Sequence, residues 1–111
     1  MNVDSVLKAL LESLGHPAAR LYYAGKAETY YTFQLIFSGD DAFRDDAATA
    51  TTYTYRIDLF SRSDYIDLLE KTRAALKMAG WHAVEVSAEQ YEDDTGYYHV
   101  SIDAEIMKEV S

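Results

Sequence analysis

Apolar residues at the start of the chain recur three and four positions apart, which places them on one stripe of a helix. Asn2 or Asp4 can cap the first turn, and Gly15, followed by His16 and Pro17, ends the helix. The spacing therefore predicts a first helix with one buried side. Its stripe consists of Val3, Val6, Leu7, Leu10, Leu11 and Leu14.

From Ala19 onward the period changes to two, which is typical of strands. A short strand is predicted over residues 20–23, followed by a turn at Gly25. A longer strand is predicted over residues 29–37, because this stretch is rich in aromatic and β-branched residues. Residues 38–41 are expected to break it, and the acidic segment up to Ala48 is predicted to be an exposed, mobile loop. One side of the longer strand carries Tyr31, Phe33, Leu35 and Phe37.

Another long strand is predicted over residues 50–60, where apolar and polar residues alternate. A second helix follows it. Ser63 or Asp64 can accept hydrogen bonds from the first-turn amides, and Gly80 closes the helix. The predicted buried stripe of this helix consists of Tyr65, Leu68, Leu69, Thr72, Leu76 and Ala79.

Two more strands are predicted over residues 81–90 and 96–107, with an acidic turn between them. The order of elements is therefore α-β-β-β-α-β-β. The links between these elements are mainly short. This order with short links favours an α+β fold, in which a mainly antiparallel sheet has both helices packed on one face. No repeat or linker interrupts residues 1–111, so we expect a single domain.

Charge and cysteine content exclude several classes of binding partner and functional site. The chain has 19 acidic and 10 basic residues, a formal net charge of −9 and a pI near 4.6. This balance repels phosphate backbones and anionic membrane surfaces. The absence of cysteine excludes a disulfide scaffold, a thiolate zinc site and a cysteine nucleophile. With no signal peptide and no long apolar stretch, we expect a soluble protein made in a cytoplasm.

Catalytic and metal-binding motifs are absent from the sequence. The five glycines are too scattered for a phosphate loop, and His16, His82 and His99 lack metal-ligand spacing. The acidic clusters at residues 40–46 and 92–94 lack the residue order of a calcium loop, so solvated loop charge is the favoured interpretation. We therefore predict no enzymatic activity, no catalytic residues, no cofactor and no metal.

Contact with other proteins is the chemistry that the sequence does suggest. Phe43 and Arg44 lie inside the predicted polar loop, where an exposed aromatic can anchor a partner. In adjacent tyrosine pairs one member must face away from the core, because the side chains of a strand alternate. The candidate interface residues are therefore Asp40, Asp41, Phe43, Arg44, Asp45 and Asp46 of the loop, together with Tyr30 and Tyr97.

Two segments carry a resemblance to a known family. Residues 55–65 (YRIDLFSRSDY) lead into the helix start IDLLEK, and residues 92–99 (EDDTGYYH) open the last strand. In this order the segments resemble the small tail-completion, or head–tail joining, proteins of long-tailed phages and prophages, over residues 7–106. The resemblance implies a tail-terminator-like α+β fold and a structural, non-enzymatic protein at the head-proximal end of the tail.

The partners implied by this resemblance are the chain itself in a homo-oligomeric ring, for which it suggests a hexamer, and the tail tube and head–tail connector proteins. DNA would only pass through the channel, and no membrane is involved. The protein would assemble in the host bacterial cytoplasm and reside in the virion tail. Two alternatives stay open: an acidic interaction module or DNA-mimic inhibitor of a host protein, and, with the least support, a small enzyme.

Overall fold

The computed structural model describes residues 2–42 and 49–109. Within these ranges the chain forms two helices and six strands, so the predicted α+β class and helix positions are confirmed. The loop residues Phe43, Arg44, Asp45 and Asp46 lie outside the described residues. The elements in chain order are α1 (Val3–Glu12), β1 (Ala18–Arg20), β2 (Thr29–Ala42), β3 (Thr49–Ser61), α2 (Ile66–Met78), β4 (His82–Val86), β5 (Gln90–Glu92) and β6 (Tyr97–Glu109).

All six strands join one sheet, in the order β1-β2-β3-β6-β4, with the short β5 also pairing with β6. Among the strand pairs of the described residues, only β1–β2 is parallel, and the others are antiparallel as predicted. Three strands of 13 or 14 residues give the molecule an elongated shape of 54 × 26 × 22 Å. At one end β2, β3 and β6 extend past β1 and β4. We call these projecting segments, residues 34–42, 49–54 and 106–109, the distal ribbon.

The core lies between one face of the sheet and the two helices. Alternate residues of β3 and β6 point into it, including the fully buried Ile57 and Ile102, which are directly paired. Leu7 and Leu11 of α1 and Leu76 of α2 cover them. The opposite face carries no helix in the described part of the chain, and we call it the open face.

Helix boundaries follow local capping chemistry. The Asn2 side chain accepts a 2.8 Å hydrogen bond from the Ser5 amide, which confirms the predicted cap of α1. At the start of α2, the Asp64 side chain accepts a 3.1 Å hydrogen bond from the amide of Ile66, the first residue of the helix. The predicted stripes hold for their central residues, but two peripheral predictions were wrong, because Val6 and Ala79 are exposed.

The structure corrects the prediction for β2. Residues 38–41 do not break this strand, because they pair with residues 50–53 of β3, and β2 continues to Ala42. A β-bulge between Leu35 and Phe37 adds one residue to β2 and reverses the alternation of its side chains. Phe37 therefore lies on the open face and is 61% exposed, whereas it was predicted to share a face with Tyr31.

Two other strand boundaries were also wrong. The first strand covers Ala18–Arg20, not residues 20–23, since Leu21 adopts a left-handed φ of 66° and turns the chain away. Tyr22 and Tyr23 thus lie in the loop that follows. In place of the single strand predicted over residues 81–90, the chain forms two short strands, His82–Val86 and Gln90–Glu92. The first has a register shift between His82 and Glu85, where Ala83 has a φ of 51°.

Candidate interaction surfaces

An aromatic cluster occupies the end of the open face away from the distal ribbon. The cross-strand register aligns Tyr30, Phe60 and His99 in one row on β2, β3 and β6. Their rings stack with centroid distances of 4.8 and 4.3 Å, and the ring of Tyr23 extends the stack at 4.4 Å from Tyr30. The Tyr97 ring packs edge-on against the Tyr30 ring, with their centroids 5.5 Å apart. Two predicted interface residues, Tyr30 and Tyr97, are therefore brought together.

This aromatic cluster also holds the loop that precedes β2. The Tyr23 hydroxyl accepts a 3.2 Å hydrogen bond from the Ala27 amide, and the Tyr97 hydroxyl donates a 2.8 Å bond to the Ala27 carbonyl. The Arg62 guanidinium lies 4.5 Å from the centre of the Tyr97 ring, within cation–π range. Both predicted tyrosines are only half-buried, so intramolecular contacts use one part of each ring and leave another part accessible.

Burial also affects the acid–base behaviour of the cluster. Desolvation raises the pKa of Tyr30, and the neighbouring Tyr97 and Glu92 raise it further. A tyrosine with the ordinary pKa of 10.0 is already neutral at physiological pH, and the raised pKa extends the neutral state of Tyr30 to more alkaline pH. A neutral phenol next to Tyr97 and Phe60 offers an amphipathic surface, which is the chemistry that protein interfaces favour.

A polar network follows the aromatic cluster along the open face. Asp58 accepts hydrogen bonds from His99 Nε2 at 2.9 Å and from the Ser101 hydroxyl at 2.5 Å. Because Ser101 donates to the carboxylate and not to the imidazole, the three residues do not form a nucleophile–base pair. The arrangement instead holds His99 in its stacked position on Phe60.

Further along, two more acidic residues of the open face have basic partners. Arg56 makes two hydrogen bonds to Asp103, at 2.9 and 3.0 Å. This carboxylate raises the pKa of the Arg56 guanidinium. His82 Nε2 lies 3.7 Å from Glu105 Oε1 on the same face. Within residues 2–42 and 49–109 no group of three or more histidine or acidic side chains is placed to hold a metal ion.

The free edge of β2 carries an apolar patch that the sequence analysis did not identify. Beyond Phe33 no described strand pairs with the outer edge of β2. Leu35, Ile36 and Phe37 follow directly and are 48%, 40% and 61% exposed. The alternation in the sequence placed Leu35 and Phe37 on one side of the strand with Tyr31 and Phe33, and the bulge has no glycine or proline that could have signalled it. An exposed apolar edge of this kind is a site for pairing with another chain.

The predicted acidic residues lie at the end of this edge, where they can be described. Asp40 is exposed, and its carboxylate accepts a 2.9 Å hydrogen bond from the Thr51 hydroxyl. The backbone of Asp41 pairs with that of Ala50. Asp40 is therefore far along the sheet from Tyr30 and Tyr97, and the predicted interface residues do not form one continuous site.

Two clefts flank the N-terminal turn of α1, on the face of the sheet that carries the helices. One has a volume of about 480 Å³ and is bordered by Asn2, Tyr53 and Lys108, and the other, of about 430 Å³, is bordered by Leu21 and Leu35. Between them the Tyr55 hydroxyl donates a hydrogen bond to Asp4. Both clefts are open to solvent and lined by polar and apolar atoms alike, so they lack the enclosed, mainly apolar walls of a small-molecule site.

In the part of the chain that the structure describes, no helix is long and apolar enough to cross a membrane. No protein-family model matches the chain, and no curated protein matches it. Among solved structures, a chain from the virion of a native gene transfer agent particle is similar to this one, with 13% sequence identity and a TM-score of 0.49. The similarity covers 97% of this chain and 87% of that chain. A similarity at this level does not support a conclusion about function.

Proposed function

We propose that the chain is a structural protein of a phage or prophage particle that acts as a tail-completion or head–tail joining subunit in a homo-oligomeric ring. The sequence resemblance over residues 7–106 suggests this role. The observation that carries it is the free, apolar edge of β2 at Leu35, Ile36 and Phe37. Soluble proteins that act alone cover or charge such an edge, so its exposure favours a protein that works in contact with others.

The charge of the open face is compatible with this role. Asp58, Asp103 and Glu105 lie on one side of the sheet, away from the helices. Basic partners offset part of this charge, but the formal net charge of the chain is −9, which repels DNA phosphates and would not retain DNA that moves past. Tail tube and connector proteins are the partners that the proposal implies for the remaining exposed surface.

The geometry gives less support to a DNA-mimic inhibitor. Such a protein needs carboxylates free to replace phosphates at a basic partner. Here Asp58 accepts from His99 and Ser101, and Asp103 is engaged by Arg56. Their charge is partly compensated within the chain, and a basic partner would have to displace these contacts.

The test is to delete the coding sequence from the phage or prophage genome that carries it and to image the particles by electron microscopy. The proposal predicts filled heads and separate tails, with joined particles restored when the chain is supplied from a plasmid. Joined, infectious particles in the deletion strain would contradict the proposal. A plasmid that expresses a variant with a stop codon in place of Lys8 controls for effects of the plasmid itself.

A further inference from the structure

Both sides of the distal ribbon end in unpaired strand edges within the described residues. On one side, the outer edge of β2 beyond Phe33 has no neighbouring strand. On the other side, β4 pairs with β6 only as far as Glu105, which leaves the outer edge of β6 from Ile106 to Glu109 open. Two free edges on opposite sides of one sheet allow head-to-tail addition of identical subunits.

The two edges differ in charge, and they do so in the same row of the sheet. Asp40 of β2, Thr51 of β3 and Lys108 of β6 are direct neighbours across the strands, on the face that carries the helices. Asp40 and Lys108 are both exposed, and Lys108 forms no ion pair with a described residue. If a second subunit continues the sheet with its rows of paired residues in line with those of the first, its Asp40 lies beside this Lys108.

The open face of the distal ribbon adds apolar complementarity. The next row aligns Gly39, Thr52 and Met107. The Phe37 ring lies over Gly39, within 3.1 Å of where a glycine β-carbon would be, and Met107 is 41% exposed at the opposite edge. Phe37 itself belongs to the row of Thr54 and Glu105, but its ring extends to the row of Gly39 and Met107. With the rows of two subunits in line, Phe37 of one subunit therefore meets Met107 of the next diagonally. Removal of these two side chains from water would favour association.

We propose that copies of this chain join head to tail through the distal ribbon, with residues 38–42 of β2 in one subunit pairing with residues 106–109 of β6 in the next. Phe37 packs against Met107 and Asp40 pairs with Lys108. A second copy is the occupant that fits, because it brings a free edge with an apolar residue within reach of Phe37 and with the opposite charge in the row of Asp40. This inference names the subunit contact of the ring under "Proposed function" and rests on that proposal for its biological setting.

Charge exchange tests the contact in the full chain. Asp40→Lys places like charges together, so association measured by sedimentation equilibrium should weaken about threefold or more. Lys108→Asp should weaken it similarly, and the double variant should return to within about twofold of the wild type. The controls Asp93→Lys and Lys26→Asp change the net charge equally at exposed positions away from the ribbon. Equal effects of the ribbon variants and their controls would overturn the proposal.

Disulfide trapping gives a second readout that detects weak contacts. The natural chain has no cysteine, so introduced pairs are unambiguous. Asp40→Cys combined with Lys108→Cys should give dimers, trimers and larger species on oxidation, because neighbouring side chains across a strand pair come within disulfide reach. Neither single variant should do so. No ladder, or a dimer from Asp40→Cys alone, would overturn head-to-tail pairing.

A control pair, Lys26→Cys with Met78→Cys, places cysteines at exposed positions outside the ribbon. An equal ladder from this pair would show random collision and would also overturn the contact. The outcomes separate the two proposals. If the deletion strain leaves heads and tails apart but the ribbon pair gives no ladder, only the contact is wrong. If the ladder forms and the deletion strain is fully infectious, the contact holds and the tail role is wrong.

Discussion

The hydroxyl groups of Tyr31 and Thr72 lie 2.8 Å apart in the buried space between the sheet and α2. The Thr72 hydroxyl also lies 2.7 Å from the Leu68 carbonyl, to which it donates its single hydrogen. Tyr31 must therefore be the donor to Thr72. Both residues are almost fully buried, so this chain of hydrogen bonds fixes β2 against the helix without help from solvent.

The direction of this bond predicts an asymmetry between two substitutions. Thr72→Val leaves the Tyr31 hydroxyl buried without an acceptor, and should lower the free energy of unfolding by about 1–3 kcal/mol. Tyr31→Phe removes the donor but leaves Thr72 bonded to Leu68, and should cost about 0.5–1.5 kcal/mol. Urea unfolding followed by circular dichroism measures both. The double variant should be more stable than Thr72→Val alone, and the reverse order would show that the bond does not have this direction.

Leu69 should contribute strongly to stability through α2. It is buried in the core, and Leu69→Ala should lower the free energy of unfolding by roughly 2–5 kcal/mol, because it removes apolar contacts and leaves a cavity. Ile66→Ala, at an exposed position in the same helix, is the matched control and should stay within about 0.5 kcal/mol of the wild type. Similar losses for both variants would show that the helix presents a different face to the sheet.

The predictable parts of this fold are those in which burial sets the spacing of side chains. The stripe containing Leu7 and Leu11 and the alternation containing Ile57 and Ile102 follow directly from the periods of helix and strand. The same alternation predicted that Tyr30 and Tyr97 face away from the core. It did not reveal that Tyr30, Phe60 and His99 share a row, because cross-strand register depends on contacts distant in sequence.

The errors lie where pairing overrides local composition. Residues 38–41 read as a breaker, yet they continue β2 because residues 50–53 of β3 supply a complete ladder beside them. The bulge near Ile36 has no glycine or proline to announce it, and a shift of one residue moved Phe37 to the opposite face. The apolar edge, and with it the proposed contact, was therefore hidden from the sequence pattern.

The stability of the fold should decrease at alkaline pH. Burial, followed by hydrogen bonds to Asp4 and Glu89, raises the pKa of Tyr55 and Tyr65 above the ordinary value of 10.0, and burial also raises the pKa of Tyr31. The contribution of these tyrosines to the free energy of unfolding is complete below pH 10.0. It is lost as the pH rises through their folded-state pKa values, because the unfolded chain releases these protons at lower pH than the folded chain does. Near-ultraviolet absorbance should show these tyrosines ionising together with unfolding. Ionisation of all ten at their ordinary pKa in the folded state would contradict this.

The loop before β2 should loosen when the aromatic cluster loses its hydroxyls. Tyr23→Phe removes the acceptor of the Ala27 amide, and Tyr97→Phe removes the donor to its carbonyl. Each bond contributes about 0.5–1.5 kcal/mol, so hydrogen exchange at the Ala27 amide should become roughly 2- to 10-fold faster. Tyr22→Phe is the control, since Tyr22 lies in the same loop and is exposed. Unchanged exchange in both cluster variants would show that ring stacking alone holds the loop.

Salt should not dissociate the assembled chain. The net charge of −9 makes like subunits repel, whereas the proposed contact contains one exposed ion pair, Asp40 with Lys108, and an apolar pair, Phe37 with Met107. An exposed ion pair contributes at most about 1 kcal/mol, so screening should relieve more repulsion than it removes attraction. Light scattering at fixed protein concentration should show an apparent mass that rises or holds as the salt concentration increases. The effect should be steeper in Lys26→Asp, which adds negative charge away from the ribbon. A mass that falls steeply with salt would mean that attraction between opposite charges dominates the contact, which would contradict this account of the assembly.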